Sequence, residues 1–294
     1  MDCRHTQGGN TVVKIISDST CDLSKELQEK YEIDILPLHI ILGDQDFEDG
    51  IGITPDEIYR WSDENRQTPK TAAVAVEEVM AVLEPYVMRG DEVICFSISE
   101  SMSSTANAMR MAAKRLEAEH LITVIDSANL STGVGLQVIE AALMAKQGFT
   151  AAQIAAEIEA VKPLVRSSFV VDTLTYLHRG GRCSGVAAIV GSTLRLHPRI
   201  AVSEGKMAPG KKYRGRMSRA IMDYVRDMEA ELKSARKDRV FITHSGCSAE
   251  DIEMVRSYLE GLNHFDEILI TRAGSVISSH CGPGTLGVLF IAEK

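Results

Sequence analysis

Residues 93–146, VICFSISESMSSTANAMRMAAKRLEAEHLITVIDSANLSTGVGLQVIEAALMAK, decide the fold class. Val93 to Ile98 is a mainly apolar run of strand length, and Ser103 to Leu116 carries apolar residues at helical spacing. Leu121 to Ile125 repeats the strand signal, and Ser131 to Lys146 repeats the helical one, ending at Gly148. Strand, loop and helix in this order, twice, predict a parallel sheet with helices on both faces. Working outward, Val12 to Ile16 is a further strand, with Asp22 or Ser24 placed to cap the helix after it. Ile33 to Leu42 reads as a second strand, with Gly43-Asp44-Gln45 as its turn. Thr54-Pro55-Asp56-Glu57 is a capping box with proline in the first turn. Val76 to Met88 is helical by pattern, and Thr150 with Gln153 caps another helix.

The texture changes from about Val165. A strand at Ser167 to Val171 leads into DTLTYLHRGGR, and a short helix is expected near Val186 to Leu194. Arg199 to Val202 and Lys206 to Met207 suggest a hairpin. A basic loop, Lys211 to Arg219, precedes a long helix through Leu232. Val240 to His244, a helix after Ser248, Glu267 to Thr271 and a final strand complete an α+β half. The expected fold is a two-domain α/β protein, with an N-terminal domain at 12–163 and a C-terminal domain at 164–294.

The 294 residues are 45% apolar but only 5% aromatic, so the core is aliphatic and platforms for stacking nucleic-acid bases are scarce. The net charge of −9 argues against a nucleic-acid binder and a polybasic membrane anchor. No apolar run is long enough to span a membrane. The leader MDCRHTQGGN lacks an apolar signal core and reads as disordered. The six cysteines form no CxxC and fit no zinc module, which suggests reduced thiols and a cytoplasmic location.

Three hydroxyl-rich loops follow strands: Ser17 to Thr20, Ser97 to Thr105, and Asp126-Ser127-Ala128-Asn129. In a parallel sheet they collect at the strands' carboxyl ends, where ligands bind. The middle loop opens a helix, and its free N–H groups with Ser103, Ser104 and Thr105 suit an anionic oxygen. Ordinary helix capping accounts for one serine per loop but not for five hydroxyls. Thr68-Pro69-Lys70-Thr71, taken alone, reads as an N-cap. Gly274 to Gly287, GSVISSHCGPGTLG, is either the polar end-piece of a ligand site around His280 or a tight strand connection. Arg179-Gly180-Gly181-Arg182 either wraps an anion or is structural, with Asp172 pairing one arginine. Lys211 to Arg219 is either a solvated charge run or a docking surface. The chain has no P-loop and no GxSxG elbow, and Gly133-Val134-Gly135 lacks the third glycine of a dinucleotide fingerprint.

Together, SDSTCD (17–22), KT (70–71), SMSST (101–105), DSANLSTG (126–133), DTLTYLHRGGR (172–182), YRGR (213–216), HSG (244–246) and HCGPGTLG (280–287) resemble the DegV family of bacterial fatty-acid-binding proteins. The resemblance runs in family order across nearly the whole chain. It implies a two-domain fold that buries a long-chain fatty acid between its domains, without catalytic chemistry or a cofactor. It also implies a partner, an ATP-binding kinase subunit that turns the acid into acyl phosphate for phospholipid synthesis. Carried over by motif, Thr71 and Ser103 would hold the carboxylate with His280 close by. Ser104, Asp126, Ser127, Arg179 and Arg182 would line the surroundings, and Arg214 would face the kinase. The chain departs from the family pattern at Ala72-Ala73-Val74 and at Ser275 and Ser278. A transferase or hydrolase with Ser103 and His280 as catalytic groups is the alternative, as is a lipid-sensing regulatory module.

Overall fold

A computed structural model describes residues 13–183, 185 and 196–293. The leader, Val12 and the helix expected at 186–194 lie outside the described residues. The first half contains β1 (Val13–Asp18), α1 (Lys25–Tyr31), β2 (Ile33–Leu36), β3 (His39–Leu42), β4 (Gln45–Glu48), α2 (Pro55–Asn65) and β5 (Lys70–Ala72). It continues with α3 (Val76–Arg89), β6 (Glu92–Ser97), α4 (Thr105–Arg115), β7 (Ile122–Asp126), α5 (Thr132–Lys146) and α6 (Ala151–Val161). β2-β1-β6-β7 form a wholly parallel sheet. Its side chains alternate between two apolar layers, as a strand's period of two requires. Ile94 and Phe96 join Ile15 and the helices α1, α5 and α6 on one face. Val93 and Cys95 join Ile16, α3 and α4 on the other. Helices therefore cover both faces, as the quoted stretch predicts.

The single strand expected over Ile33 to Leu42 is in fact two. Pro37 has no N–H with which to continue a ladder. Before it, β2 joins the parallel sheet; after it, β3 joins a small antiparallel sheet ordered β4-β3-β5. Thr71 is not an N-cap either. It lies in β5 opposite Ile40, and the start of α3 is closed instead by Glu78, which accepts from Ala75 N–H at 2.7 Å.

The second half contains β8 (Val165–Val170), α7 (Thr175–Gly180), β9 (Leu196–Ser203), β10 (Lys206–Arg214), α8 (Met217–Asp227) and α9 (Glu229–Lys233). β11 (Ala235–His244), α10 (Ala249–Gly261), β12 (Glu267–Arg272), α11 (Ser275–Cys281) and β13 (Leu286–Ala292) follow. Six strands make one mixed sheet ordered β10-β9-β8-β13-β11-β12. The expected basic loop is mostly ordered structure, since Lys211 to Arg214 end β10 and Arg219 lies in α8. The long helix expected through Leu232 breaks at the fully buried Met228, where the backbone turns to φ −91°, ψ 2°.

α5 joins the halves. It is buried from Thr132 to Ala142 except at Glu140, as a helix with apolar surface on both sides must be. Its cluster includes Ile15 and Ile94 of the parallel sheet and Val165, Phe241, Leu289 and Ile291 of the mixed sheet. A Cβ at Gly133 would lie 2.1 Å from Asn129 Oδ1 and 2.3 Å from Ser167 Oγ, so glycine here serves close packing. Further along α5, Glu140 accepts from Arg239 at 2.6 Å and from Arg236 at 2.7 Å. The Arg239 side chain is only 7% exposed. Glu140→Ala should therefore cost about 2–3 kcal/mol, because it leaves a buried guanidinium short of its main counter-charge. A lower denaturant midpoint at unchanged slope would show this.

Candidate functional site

A cavity with about 860 Å³ of empty space, mouth included, lies between the two halves. The first half contributes Leu38, Ile98, Met102 and Leu130, and the second contributes Phe169, Leu177, Met207 and Leu289, so the walls are mainly apolar. α11 forms one side through Val276, Ile277, His280 and Cys281. Thr71, Ser103, Arg182 and His280 line the same cavity.

The Gly-Ser-Pro run around His280 is neither a loop nor a simple connection, because its first half is the helix α11. Sequence propensity hides this helix, since serine competes with the helical backbone for hydrogen bonds. Here the serines serve the helix instead. Ser279 donates to Ser275 O at 2.7 Å, and Ser278 to Ala273 O at 3.2 Å. Gly282, at φ 77°, ends it. A helical reading of this run could have been made from Val276 with His280 and Ile277 with Cys281, two pairs four residues apart.

His280 Nε2 lies 2.8 Å from Thr71 Oγ1, joining α11 to β5. Nδ1 is enclosed, without a hydrogen-bond partner, and faces Gly180 at the end of α7. Burial, and then the positive charge of Arg182, push the imidazole down to about 4, so it is neutral at physiological pH. A neutral ring has one N–H, and only Nε2 has a partner to receive it. This assigns the proton to Nε2, makes Thr71 an acceptor from the ring and leaves the Thr71 hydroxyl hydrogen free to donate into the cavity. Arg182 is held by its own bonds to Gly180 O at 2.7 Å and Met102 O at 3.4 Å. Hydroxyls and a cation in the wall of a mainly apolar cavity suit an anionic head with a hydrocarbon tail.

The serine-rich loop divides its hydroxyls. Ser103 lines the cavity, with its Oγ 2.9 Å from Thr105 Oγ1. Ser99 donates to Gly205 O at 2.7 Å, and Ser101 donates to the same carbonyl, so these two fasten the tip of the β9–β10 hairpin. The excess of serine thus reflects contact between the halves as much as ligand binding. Ser104, Asp126, Ser127 and Arg179 are outside the cavity lining. Ser104 occupies the N-cap position of α4. Asp126 accepts from Glu100 N–H at 3.1 Å and Ala128 N–H at 2.9 Å, and Ser127 is buried and bonded to Asn129. These two shape their loop. Arg179 lies at the surface, 3.5 Å from Thr68 Oγ1. Asp172 pairs with neither arginine; its Oδ1 is 3.5 Å from His197 Nδ1.

Several contributors were not among the expected site residues, although Ser131 and His244 fall within the DSANLSTG and HSG motifs. Ser131, Ala273, Thr243 and His244 line the cavity and come together only through the packing of α5 against the mixed sheet. Cys21, Cys95, Cys247 and Cys281 are reduced, and burial pushes the Cys281 thiol up to about 12. Among the described residues, no helix is long and apolar enough to cross a membrane, and no group of three or more His, Cys, Asp or Glu could hold a metal ion.

The DegV family model, described as "Uncharacterised protein, DegV family", matches residues 12–293. A DegV domain-containing protein of Clostridium perfringens is 31% identical over 282 residues, which cover 96% of this chain and 99% of that one. A fatty-acid-binding DegV protein from Thermus thermophilus superimposes with a TM-score of 0.88 at 28% identity, over 96% of this chain and 99% of that one. A stearic-acid-binding protein from Eubacterium ventriosum gives 0.83 at 28% identity, over 95% and 98%. With the sequence motifs, the α/β architecture and the match over residues 12–293 in agreement, the chain belongs to the DegV family.

Proposed function

We propose that this protein buries one long-chain fatty acid in the cavity and presents its carboxylate to a separate ATP-binding kinase subunit, which forms the acyl phosphate. The observation that carries the reading is a mainly apolar cavity lined also by Thr71, Ser103, Arg182 and a neutral His280. The fatty acids bound by the Thermus and Eubacterium relatives support the ligand class. At ~0.8 kcal/mol per methylene, a long acyl chain contributes about 10 kcal/mol before ordering costs. The carboxylate is the unfavourable end to bury, and the Thr71 and Ser103 hydroxyls with Arg182 offset its desolvation. The protein does no phosphoryl chemistry itself. The hydroxyl at Ser103 is paired with Thr105 and the one at His280 is that of Thr71, so no Ser103–His280 nucleophile and base pair is formed.

The kinase docks on the exposed basic edge of β10, where Arg214 stands at the rim of the mixed sheet. The encounter takes place in the cytoplasm, where ATP is available and thiols stay reduced. The two units divide at 163/164, just before β8. Mass spectrometry of lipid extracted from the purified protein tests the ligand: repeated absence of any acyl chain, with no uptake of added fatty acid, sinks the reading. Thr71→Val keeps the shape and removes the donor, and should weaken fatty acid binding about tenfold, with Thr71→Ser restoring it. Arg214→Ala should spare binding and reduce acyl phosphate formation with the kinase; equal loss of bound lipid in the Arg214 and Thr71 variants contradicts that division.

A further inference from the structure

α11 is used at one end and anchored at the other. Its last turn brings His280 to Thr71, while the N–H groups at its start meet carboxylates from distant parts of the chain. Gly274 N–H donates to Asp22 Oδ1 at 2.8 Å, and Ser275 N–H donates to Asp49 Oδ1 at 2.7 Å. Both acids flank one Cα: a methyl group on Gly274 would stand 3.2 Å from Asp22 Oδ1 and 3.2 Å from Asp49 Oδ1. Asp22 and Asp49 are 6% and 4% exposed. Asp22 Oδ2 accepts the Ser131 hydroxyl; Asp49 is also faced by the Ser19 hydroxyl and Val276 N–H, though its Oδ2 has no close hydrogen-bond partner.

The other titratable groups facing the pair are Asp18 and the thiols of Cys21 and Cys281, all buried. Asp18 is already satisfied by Thr20 N–H at 3.1 Å, Thr20 Oγ1 at 2.5 Å and Ile98 N–H at 2.8 Å. Among the described residues, no Lys, Arg or His forms an ion pair with any of the three acids. Two full negative charges on buried carboxyls beside one Cα, without a cation, are strongly disfavoured. One negative charge at the start of a helix is favourable.

We propose that Asp22 and Asp49 are positioning residues that share one proton, and that this proton holds the α11 anchor and tunes the affinity of its His280 end for an anionic ligand. Burial is the main force raising both carboxyls, and it takes Asp22, with help from the charges of Asp49 and Asp18, up to about 8. Ser131 connects the pair to the cavity, because its hydroxyl bonds Asp22 while the residue lines the ligand space. It does so from an unusual backbone conformation, φ 51°, ψ −143°. An anion in the cavity raises the pair's proton affinity further. Binding therefore favours the protonated pair, and affinity falls as pH rises through its titration.

The affinity arm of this inference rests on the fatty acid reading; the proton itself does not. Binding of cis-parinaric acid at constant ionic strength should weaken about fivefold or more between pH 7 and 9.5. Asp22→Ala should bind poorly throughout. The isosteric Asp22→Asn should recover to within about threefold of the parent protein at pH 7 and lose the alkaline fall. A flat profile in the parent protein, or an Asn variant as poor as the Ala variant, overturns the proposal. Carboxyl-carbon NMR of ligand-free protein labelled at aspartate should show one group titrating near pH 8 that disappears in Asp22→Asn; titration of every carboxyl below pH 5 overturns it. If no fatty acid binds at any pH, the ligand reading fails and the NMR experiment still decides the shared proton.

Discussion

Gly180→Ala should weaken fatty acid binding about a hundredfold, or nearly 3 kcal/mol, through one misplaced methyl group. A Cβ at Gly180 would sit 2.4 Å from His280 Nδ1 and 3.2 Å from Cε1. These are atoms of a ring held by a helix, so relief requires the imidazole to leave Thr71. The hydroxyl would then lose the partner that directs its hydrogen into the cavity. Gly181 is the matched control. It has φ 67°, with nothing within 4 Å of a built Cβ, so Gly181→Ala should lower stability by about 1 kcal/mol through backbone strain and leave affinity nearly unchanged. Calorimetric titration with oleate and thermal unfolding of both variants separate the two effects. Equal affinities for Gly180→Ala and the parent protein would show that the His280–Thr71 contact does not govern binding.

Acid should destabilise the protein through His280 by about 2 kcal/mol, allowing for the ring's partial exposure. The unfolded chain binds a proton at the ordinary histidine value of 6.5, whereas the folded ring resists until about 4. Between those values the unfolded state holds more protons, so this contribution is present above pH 6.5 and is lost as pH falls towards 4. The buried acids act in the opposite sense. Asp18 and Asp22, raised to about 6 and about 8, favour the fold as pH drops through the same range. Comparing His280→Gln with the parent protein isolates the ring: the variant should lose less stability between pH 7 and pH 4.5. Parallel losses would mean that the folded protein admits the proton freely.

The parallel sheet was legible because its signals are local. Val93 to Cys95 alternate between faces, and the helices after them start and stop at recognisable residues. The site was legible by a different route. Thr71, Ser103 and His280 are named by resemblance to a family, and the structure brings all three to one cavity. The physics that joins them is not local. Pro37 sends β3 into a different sheet, which alone turns Thr71 from a cap residue into a strand residue facing α11. Serine at 275, 278 and 279 argues against a helix until Asp22 and Asp49 are in place to receive the first N–H groups. Gly180 was visible as half of a glycine pair, but its close approach to His280 spans one hundred residues and leaves no trace in spacing. Asp126 and Ser127 failed in the other direction, because their hydrogen bonds tie their loop to itself and to Glu100 of the serine-rich loop and not to the cavity.

The place of β13 in the mixed sheet has a consequence for the order of assembly during synthesis. It follows every other strand and helix described here, yet it pairs with both β8 and β11 in the middle of that sheet. Its Gly287 and Leu289 form cavity wall. Until these residues leave the ribosome, β8 and β11 have no common neighbour and the cavity lacks a side. The parallel sheet needs no residue beyond Asp126 and can form earlier, whereas the cavity waits for pairings across more than one hundred residues. A nascent chain therefore has no complete cavity until β13 has emerged and paired.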